Sequence, residues 1–318
     1  MTGCLPRDRY YCLLDSQPDH LVPGRLLGQR DGYGRLIINP MCWFGWQGPP
    51  PPEMAARMAP PDAFFMTPWV VWVDDPATRA ITPFWLGSDL AHLLLAKTPG
   101  QELRADEIPA DLLAILWNAE VVVTPDHEAQ RRQGWTKAAR SYSSLFSRGY
   151  VGIDRLIHPF HVGALRRYFR YHTRHRRFQL GDGQSDRFFA HNDPVAGFFH
   201  RQLAHVLGDA IGVSIQPTYS YIALYQGGAT LKPHTDREQC EYTLSWCFDA
   251  TPEPDAQVPW PLHLMTADGA VTVSQHLGDG LLFRGRYLSH WRERLPDDQT
   301  ASFILFHYAD EGFQGSRS

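Results

Sequence analysis

From Thr218 to Tyr308 the chain reads as eight short apolar runs: Thr218–Tyr225, Leu231–His234, Cys240–Phe248, Pro261–Met265, Val271–His276, Leu281–Arg284, Tyr287–Trp291 and Ser302–Tyr308. Turn formers separate them, namely Gly227-Gly228, Asp268-Gly269 and Gly278-Asp279-Gly280. Runs this short, with helical patterns only before them, bury their apolar faces best as two facing antiparallel sheets. The predicted form is a jelly-roll-like barrel braced by the preceding helices. Side chains alternate in and out along such strands, so a residue two places from an inward one also points inward.

Two helices are predicted just ahead of the strands. Pro159–Arg177 carries Val162, Leu165, Phe169 and His172 at helical spacing, and Pro194–Ile211 repeats that period. Asp193 is placed to cap the second. Arg166, Arg167, Arg170, Arg174, Arg176 and Arg177 give the first a basic side, read as solvated. Residues 126–147 are mostly polar and read as a linker or crossover, after which Arg148–Ile153 begins a strand.

The first part of the chain has a different texture. It holds Trp43, Trp46, Trp69, Trp72, Trp85 and Trp117, and a stiff proline run at Gly48–Pro52. Strands are predicted at Arg35–Ile38, Phe64–Met66, Trp69–Val73 and Val121–Val123. Helices are predicted from Ser88 or Asp89 to Lys97, and from Pro109 to Trp117. With 318 residues, two domains suit the length. The division predicted is a smaller N-terminal α+β module over 1–140, in an accessory or substrate-recognition role, and a barrel domain over 141–318. The fold class is α+β.

Composition excludes several classes. Thirty basic residues against 34 acidic ones do not suit a general nucleic-acid binder. No apolar run reaches the ~18–20 residues of a membrane span. Charges interrupt the first residues where a signal peptide needs an apolar stretch. The five cysteines, Cys4, Cys12, Cys42, Cys240 and Cys247, form no C-x-x-C pair and no disulfide framework, so a reducing, cytoplasmic setting is expected.

The segment Tyr225-Gln-Gly-Gly-Ala-Thr-Leu-Lys-Pro-His-Thr-Asp236 carries the chemistry. His234 and Asp236, two apart, share a face of an extended strand. His290 stands on the seventh predicted strand, a neighbour of the second in a rolled barrel. Two imidazoles and one carboxylate make a facial ligand set with open positions, suited to non-haem Fe(II).

These residues resemble the iron-binding stretch of prolyl 4-hydroxylase-like members of the Fe(II)/2-oxoglutarate-dependent dioxygenase superfamily. Gly278–Phe283 ahead of His290, and Gly149-Tyr150-Val151, are similar to further stretches of that family. The resemblance covers about half of the chain, residues 147–308. It implies a double-stranded β-helix, Fe(II) on His234, Asp236 and His290, 2-oxoglutarate beside the metal, and dioxygen-dependent oxidation of an unactivated C–H bond. The Asp236 carboxylate favours hydroxylation over halogenation. The implied partner is an amino-acid, peptide or related small-molecule substrate.

One departure stands out. The family places an arginine or lysine at the start of the last strand to hold the far carboxylate of 2-oxoglutarate, often with a serine two residues on. Here Thr300 occupies the cation's place and Ser302 the serine's. Arg292, two residues after His290, is the substitute, with Arg294, Arg284 and Arg237 as alternatives; Tyr225 is a further co-substrate contact. Arg187 and Asn192, in a polar stretch read as a loop or lid over the barrel mouth, and Arg237 are the substrate-contact candidates. His307 is assigned to the outward register. The alternatives are an iron oxidase of the same fold that does without 2-oxoglutarate, a metal-dependent hydrolase or isomerase, and a non-enzymatic binding protein.

Overall fold

A computed structural model describes residues 5–15, 34–254, 258 and 260–316. The chain divides into two compact units, one of residues 1–137 with 158–164 and the other of residues 138–157 with 165–318. Cys4 lies outside the described residues; Cys12, Cys42, Cys240 and Cys247 are buried. Among the described residues, no helix is long and apolar enough to cross a membrane.

The first unit holds two small sheets. In one, Ile81–Leu86 lies between Leu13–Leu14 and Val70–Asp74, and Cys42–Phe44 forms the far edge. In the other, Leu36–Ile38 lies between Glu102–Leu103 and Val122–Val123. The tryptophans supply core: Trp72 and Trp85 are buried, and Trp85 Nε1 donates to the Phe65 carbonyl at 2.6 Å. Several predicted details differ. Pro52 is no connector but opens a helix, Pro52–Met58, because its fixed φ and missing N–H suit a first turn. Phe64–Met66 forms no strand, only an isolated bridge from Phe64 to Tyr10. The next helix runs Ser88–Leu94, behind Gly87 and without a side-chain cap, and Pro109 precedes rather than opens Ala110–Asn118.

The elements that position the site are labelled as follows: helices α1 (His127–Phe146), α2 (Pro159–Arg174) and α3 (Pro194–Ile211), and strands β1 (Tyr150–Ile153), β2 (Gln179–Leu180), β3 (Arg187–His191), β4 (Ile215–Tyr225), β5 (Leu231–His234), β6 (Tyr242–Thr251), β7 (Leu262–Thr266), β8 (Gly269–Val273), β9 (Gly280–Phe283), β10 (His290–Arg292) and β11 (Thr300–Asp310). The predicted linker over 126–147 is thus helix α1. Its polar sequence buries only Phe146, so it carried no apolar period to read.

Seven strands form one antiparallel sheet in the order β1-β9-β6-β11-β4-β3-β2, and four form a second in the order β5-β10-β7-β8. The two sheets share a core: Tyr225, Cys247 and Phe303 of the large sheet cluster with Trp260 and Leu295, and Leu262 and Leu264 of the small sheet cluster with Leu281 and Phe283. Burying one such side chain stabilises the fold by about 1.5–3 kcal/mol.

Helix α3 braces the large sheet. Val195, Phe198, Leu203, Val206, Leu207 and Ile211 give it one buried apolar face. Asp193 Oδ1 accepts from the N–H groups of Val195 (2.9 Å) and Ala196 (3.1 Å), and Gly212 ends the helix at φ 73°. The basic side of α2 is only partly solvated. Arg166 is buried and bonds Asp249 Oδ1 at 2.9 Å, while Arg170 reaches Asp249 Oδ2 at 2.6 Å. The single bond from Arg166 and the bidentate pair from Arg170 tie α2 to β6.

Candidate metal centre

Strands β5 and β10 pair antiparallel with His234 directly opposite His290, and the two ring centroids are 4.2 Å apart. Asp236 lies just past the end of β5, where its N–H donates to the Gly285 carbonyl at 2.9 Å. Its Oδ1 is 3.9 Å from His234 Nε2 and 3.6 Å from His290 Nε2. One ligand atom from each of the three residues thus falls within 4.8 Å of the others.

The tautomers follow from the backbone. Nδ1 of His234 and Nδ1 of His290 each lie 2.9 Å from a carbonyl two residues back, Lys232 and Leu288 respectively. A carbonyl only accepts, so each Nδ1 carries a proton, which leaves Nε2, the nitrogen facing Asp236, as the one that can ligate. Burial also lowers the pKa of His290, which favours the neutral, ligating form.

Asp236 is held from behind. Thr243 Oγ1 donates to its Oδ2 at 2.6 Å, and the same hydroxyl lies 3.0 Å from His307 Nδ1. Having given its proton to the carboxylate, the hydroxyl accepts from His307. Burial drops the His307 pKa to about 4, so that ring is neutral as well.

The three side chains line a cavity of about 260 Å³ between the two sheets. Arg292, Tyr225, Arg187 and Arg237 line it too. Arg292 is buried, 4% exposed, and its pKa is lowered to about 10 by desolvation. The guanidinium lies over the Phe303 ring at 4.1 Å and the Trp260 ring at 4.9 Å, and it donates to the Trp260 carbonyl. Among the described residues it has no acidic partner. Arg187 differs, since its Nε donates to Asp182 Oδ2 at 2.7 Å and its Nη1 donates to the Tyr225 hydroxyl.

Five other predicted positions do not line the cavity: Thr300, Ser302, Asn192, Arg284 and Arg294, the last of which pairs with Asp297 instead. From β11 the lining residues are Phe303, Leu305 and His307, so Ser302 and Thr300 belong to the alternate register and face away. The same alternation corrects His307, which points inward: taking Ser302 as inward shifted the reading of this strand by one residue and reversed every side chain on it. Asn192 sits at φ 50° after β3, where its Oδ1 accepts from the Ser220 N–H at 3.0 Å. The stretch read as a lid is largely strand β3, paired with β4. Thr243, Gly285, His191, Tyr219 and Tyr221 were missed; they are common residue types whose role comes only from the register that brings them here.

No protein-family model matches the chain, and no curated protein matches it. Solved structures similar to it include the non-heme alpha-ketoglutarate-dependent epimerase SnoN from nogalamycin biosynthesis, at 14% identity over 55% of this chain and 81% of that one, with a TM-score of 0.46. A Pseudomonas putida prolyl-4-hydroxylase is similar at 13% identity over 55% of this chain and 100% of that one, with a TM-score of 0.45. HygX from Streptomyces hygroscopicus, solved with nickel and 2-oxoglutarate bound, is similar at 13% identity over 55% of this chain and 88% of that one, with a TM-score of 0.42.

Proposed function

We propose that residues 141–318 form a double-stranded β-helix of the Fe(II)/2-oxoglutarate-dependent dioxygenase type, which hydroxylates an unactivated C–H bond of a small-molecule or peptide substrate, and that residues 1–140 are an accessory module. The observation that carries this reading is one cavity holding two imidazole Nε2 atoms, one carboxylate and a buried guanidinium without an acidic partner.

The donor set fits the metal. His234 Nε2, His290 Nε2 and Asp236 are the intermediate-to-hard ligands that hold Fe(II) while leaving positions exchangeable. No thiolate competes: burial pushes the Cys240 and Cys247 thiols up to about 12, so both remain protonated. Iron held there supplies the redox chemistry by which dioxygen and 2-oxoglutarate oxidise a C–H bond.

The rest of the work belongs to the chain. A guanidinium buried without a carboxylate is costly, and a dicarboxylate entering the cavity removes that cost. Arg292 pairs with the far carboxylate of 2-oxoglutarate and replaces the cation missing at Thr300. The faces of Phe303 and Trp260 fix its orientation. The Tyr225 hydroxyl accepts from Arg187, which leaves its own proton to donate to the same carboxylate. Thr243 keeps Asp236 in one rotamer, with Oδ1 toward the two imidazoles.

Anaerobic addition of Fe(II) and then 2-oxoglutarate tests the reading. A visible metal-to-ligand charge-transfer band is expected from the wild type and not from His290→Ala, with succinate released once air is admitted. Iron binding without the band points to an oxidase that does not use 2-oxoglutarate. Failure to bind iron defeats the assignment.

A further inference from the structure

We infer that the second substrate of this cavity is a small organic carboxylate bearing a flat ring, with its anionic group on Arg237 and its ring against Tyr219, His191 and Tyr221. The inference rests on the metal and co-substrate reading above and names the substrate class of that same site.

The first argument is charge. The cavity is lined by the guanidinia Arg187, Arg237 and Arg292 and by the carboxylates Asp182 and Asp236. Arg187 is committed to Asp182, which also accepts from the Tyr221 hydroxyl at 2.5 Å. A dication on Asp236 and its histidines, together with a dianionic co-substrate on Arg292, cancel each other. Arg237 is then the one lining cation still without a counter-charge. Among the described residues its side chain makes no ion pair or hydrogen bond. It follows the ligand Asp236 directly, at the exposed side of the cavity. Its field reaches across the opening: after burial itself, Arg237 is the largest influence lowering the pKa of His191. An exposed cation beside a low-dielectric wall attracts an anion more strongly than one in open water.

The second argument is the wall. His191 and Tyr221 are register partners on β3 and β4, and Tyr219 lies two residues from Tyr221 on the same face. The rings touch in series. His307 and Tyr219 have centroids 4.5 Å apart, Tyr219 and His191 6.0 Å, and His191 and Tyr221 4.8 Å. Phe189 stacks on Tyr221 at 5.7 Å. This run of π faces extends from the hydrogen-bonded support of Asp236 to the edge of the cavity. It offers a rigid ring a surface that a flexible chain cannot match without losing conformational freedom. Size is limited as well, since about 260 Å³ lies below the roughly 300–1,000 Å³ of sites for drug-sized ligands, and the co-substrate shares the space.

Ligand-observed NMR titration of the full chain, loaded with Zn(II) in place of iron and with saturating 2-oxoglutarate, tests this with 3-phenylpropionate and its uncharged amide. The acid is expected to bind about tenfold more tightly than the amide, Arg237→Gln to remove that preference, and Arg237→Lys to restore part of it. Tyr219→Leu is expected to weaken acid and amide together, and hexanoate to bind more weakly than the ring acid. The inference is overturned if acid and amide bind alike, if neither binds, or if the preference survives Arg237→Gln, which would assign the carboxylate to Arg292. The charge-transfer band of the wild type is recorded separately. A band without acid preference defeats the substrate class and leaves the iron reading standing; acid preference without a band does the reverse.

Discussion

A Cβ built on Gly285 would lie 2.2 Å from Oδ2 of Asp236 and 2.4 Å from Oγ1 of Thr243. No rotamer change of a long side chain relieves such a contact, because both atoms belong to short side chains bonded to each other. The Gly285 carbonyl also accepts the Asp236 N–H, so glycine and carboxylate are fixed from two directions. Gly285→Ala is therefore expected to push Asp236 off the line of the two imidazoles. Fe(II) affinity should fall by about 10–100-fold, the range found when support of a metal ligand is lost. Equilibrium dialysis with Fe(II) or Mn(II) measures it, and unchanged affinity would show that the loop gives way instead.

Thr243 is a relay between the His307 ring and the Asp236 carboxylate. Thr243→Val keeps the shape and deletes the hydroxyl, so Asp236 Oδ2 loses a donor and the buried His307 Nδ1–H loses its acceptor. An unsatisfied buried donor costs about 1–3 kcal/mol. The variant should melt lower than wild type and bind metal more weakly, whereas Thr243→Ser should recover both. Thermal unfolding with and without metal separates the two effects.

Arg292 makes opposite predictions for the free and loaded protein. In the free protein it is a buried cation whose lowered pKa reflects desolvation, so Arg292→Met should raise thermal stability, as replacing buried charges with apolar groups often does. In the loaded protein the same change removes the carboxylate's partner. The 2-oxoglutarate requirement should rise by about 100-fold or more. If the concentration dependence of the charge-transfer band is unchanged in Arg292→Met, the anchor lies elsewhere.

How much was legible in the residues alone depended on local pattern. Helix α3 reads directly, because Pro194, Asp193 and a clean apolar period agree, and each marks the helix by a separate mechanism. The turns at Gly227-Gly228 and Gly278 divide the strands correctly, since those positions need a backbone few other residues adopt; Gly228 and Gly278 both have φ 85°. The His-x-Asp spacing is also local: β5 ends on His234, and the bond from the Asp236 N–H to the Gly285 carbonyl holds the carboxylate two residues on. Register across strands is not local. Ser302 and His307 sit on one strand with opposite facing, and only the pairing of β11 with β4 and β6 decides which side is inward. Helix α1 escaped for another reason: it is polar nearly all round, so the hydrophobic period that reveals a helix was missing.

His200 gives a pH test away from the metal centre. It is buried on α3, its Nε2–H donates to the His307 carbonyl at 2.9 Å, and burial lowers its pKa to about 3. In the unfolded chain the same imidazole takes a proton near its ordinary value of about 6.5. The unfolded state therefore binds more protons between those two values, and stability must fall as pH drops through that window. At about 1.4 kcal/mol for each pKa unit, the loss from this residue approaches ~4 kcal/mol by the bottom of the window. His307, lowered to about 4, steepens the same slope. His200→Gln keeps an N–H for the carbonyl but has no proton to take up. Denaturant unfolding at pH values from about 7 down to about 4 should show the wild type losing stability faster than this variant. Equal slopes would mean that His200 is already reached by water in the folded state.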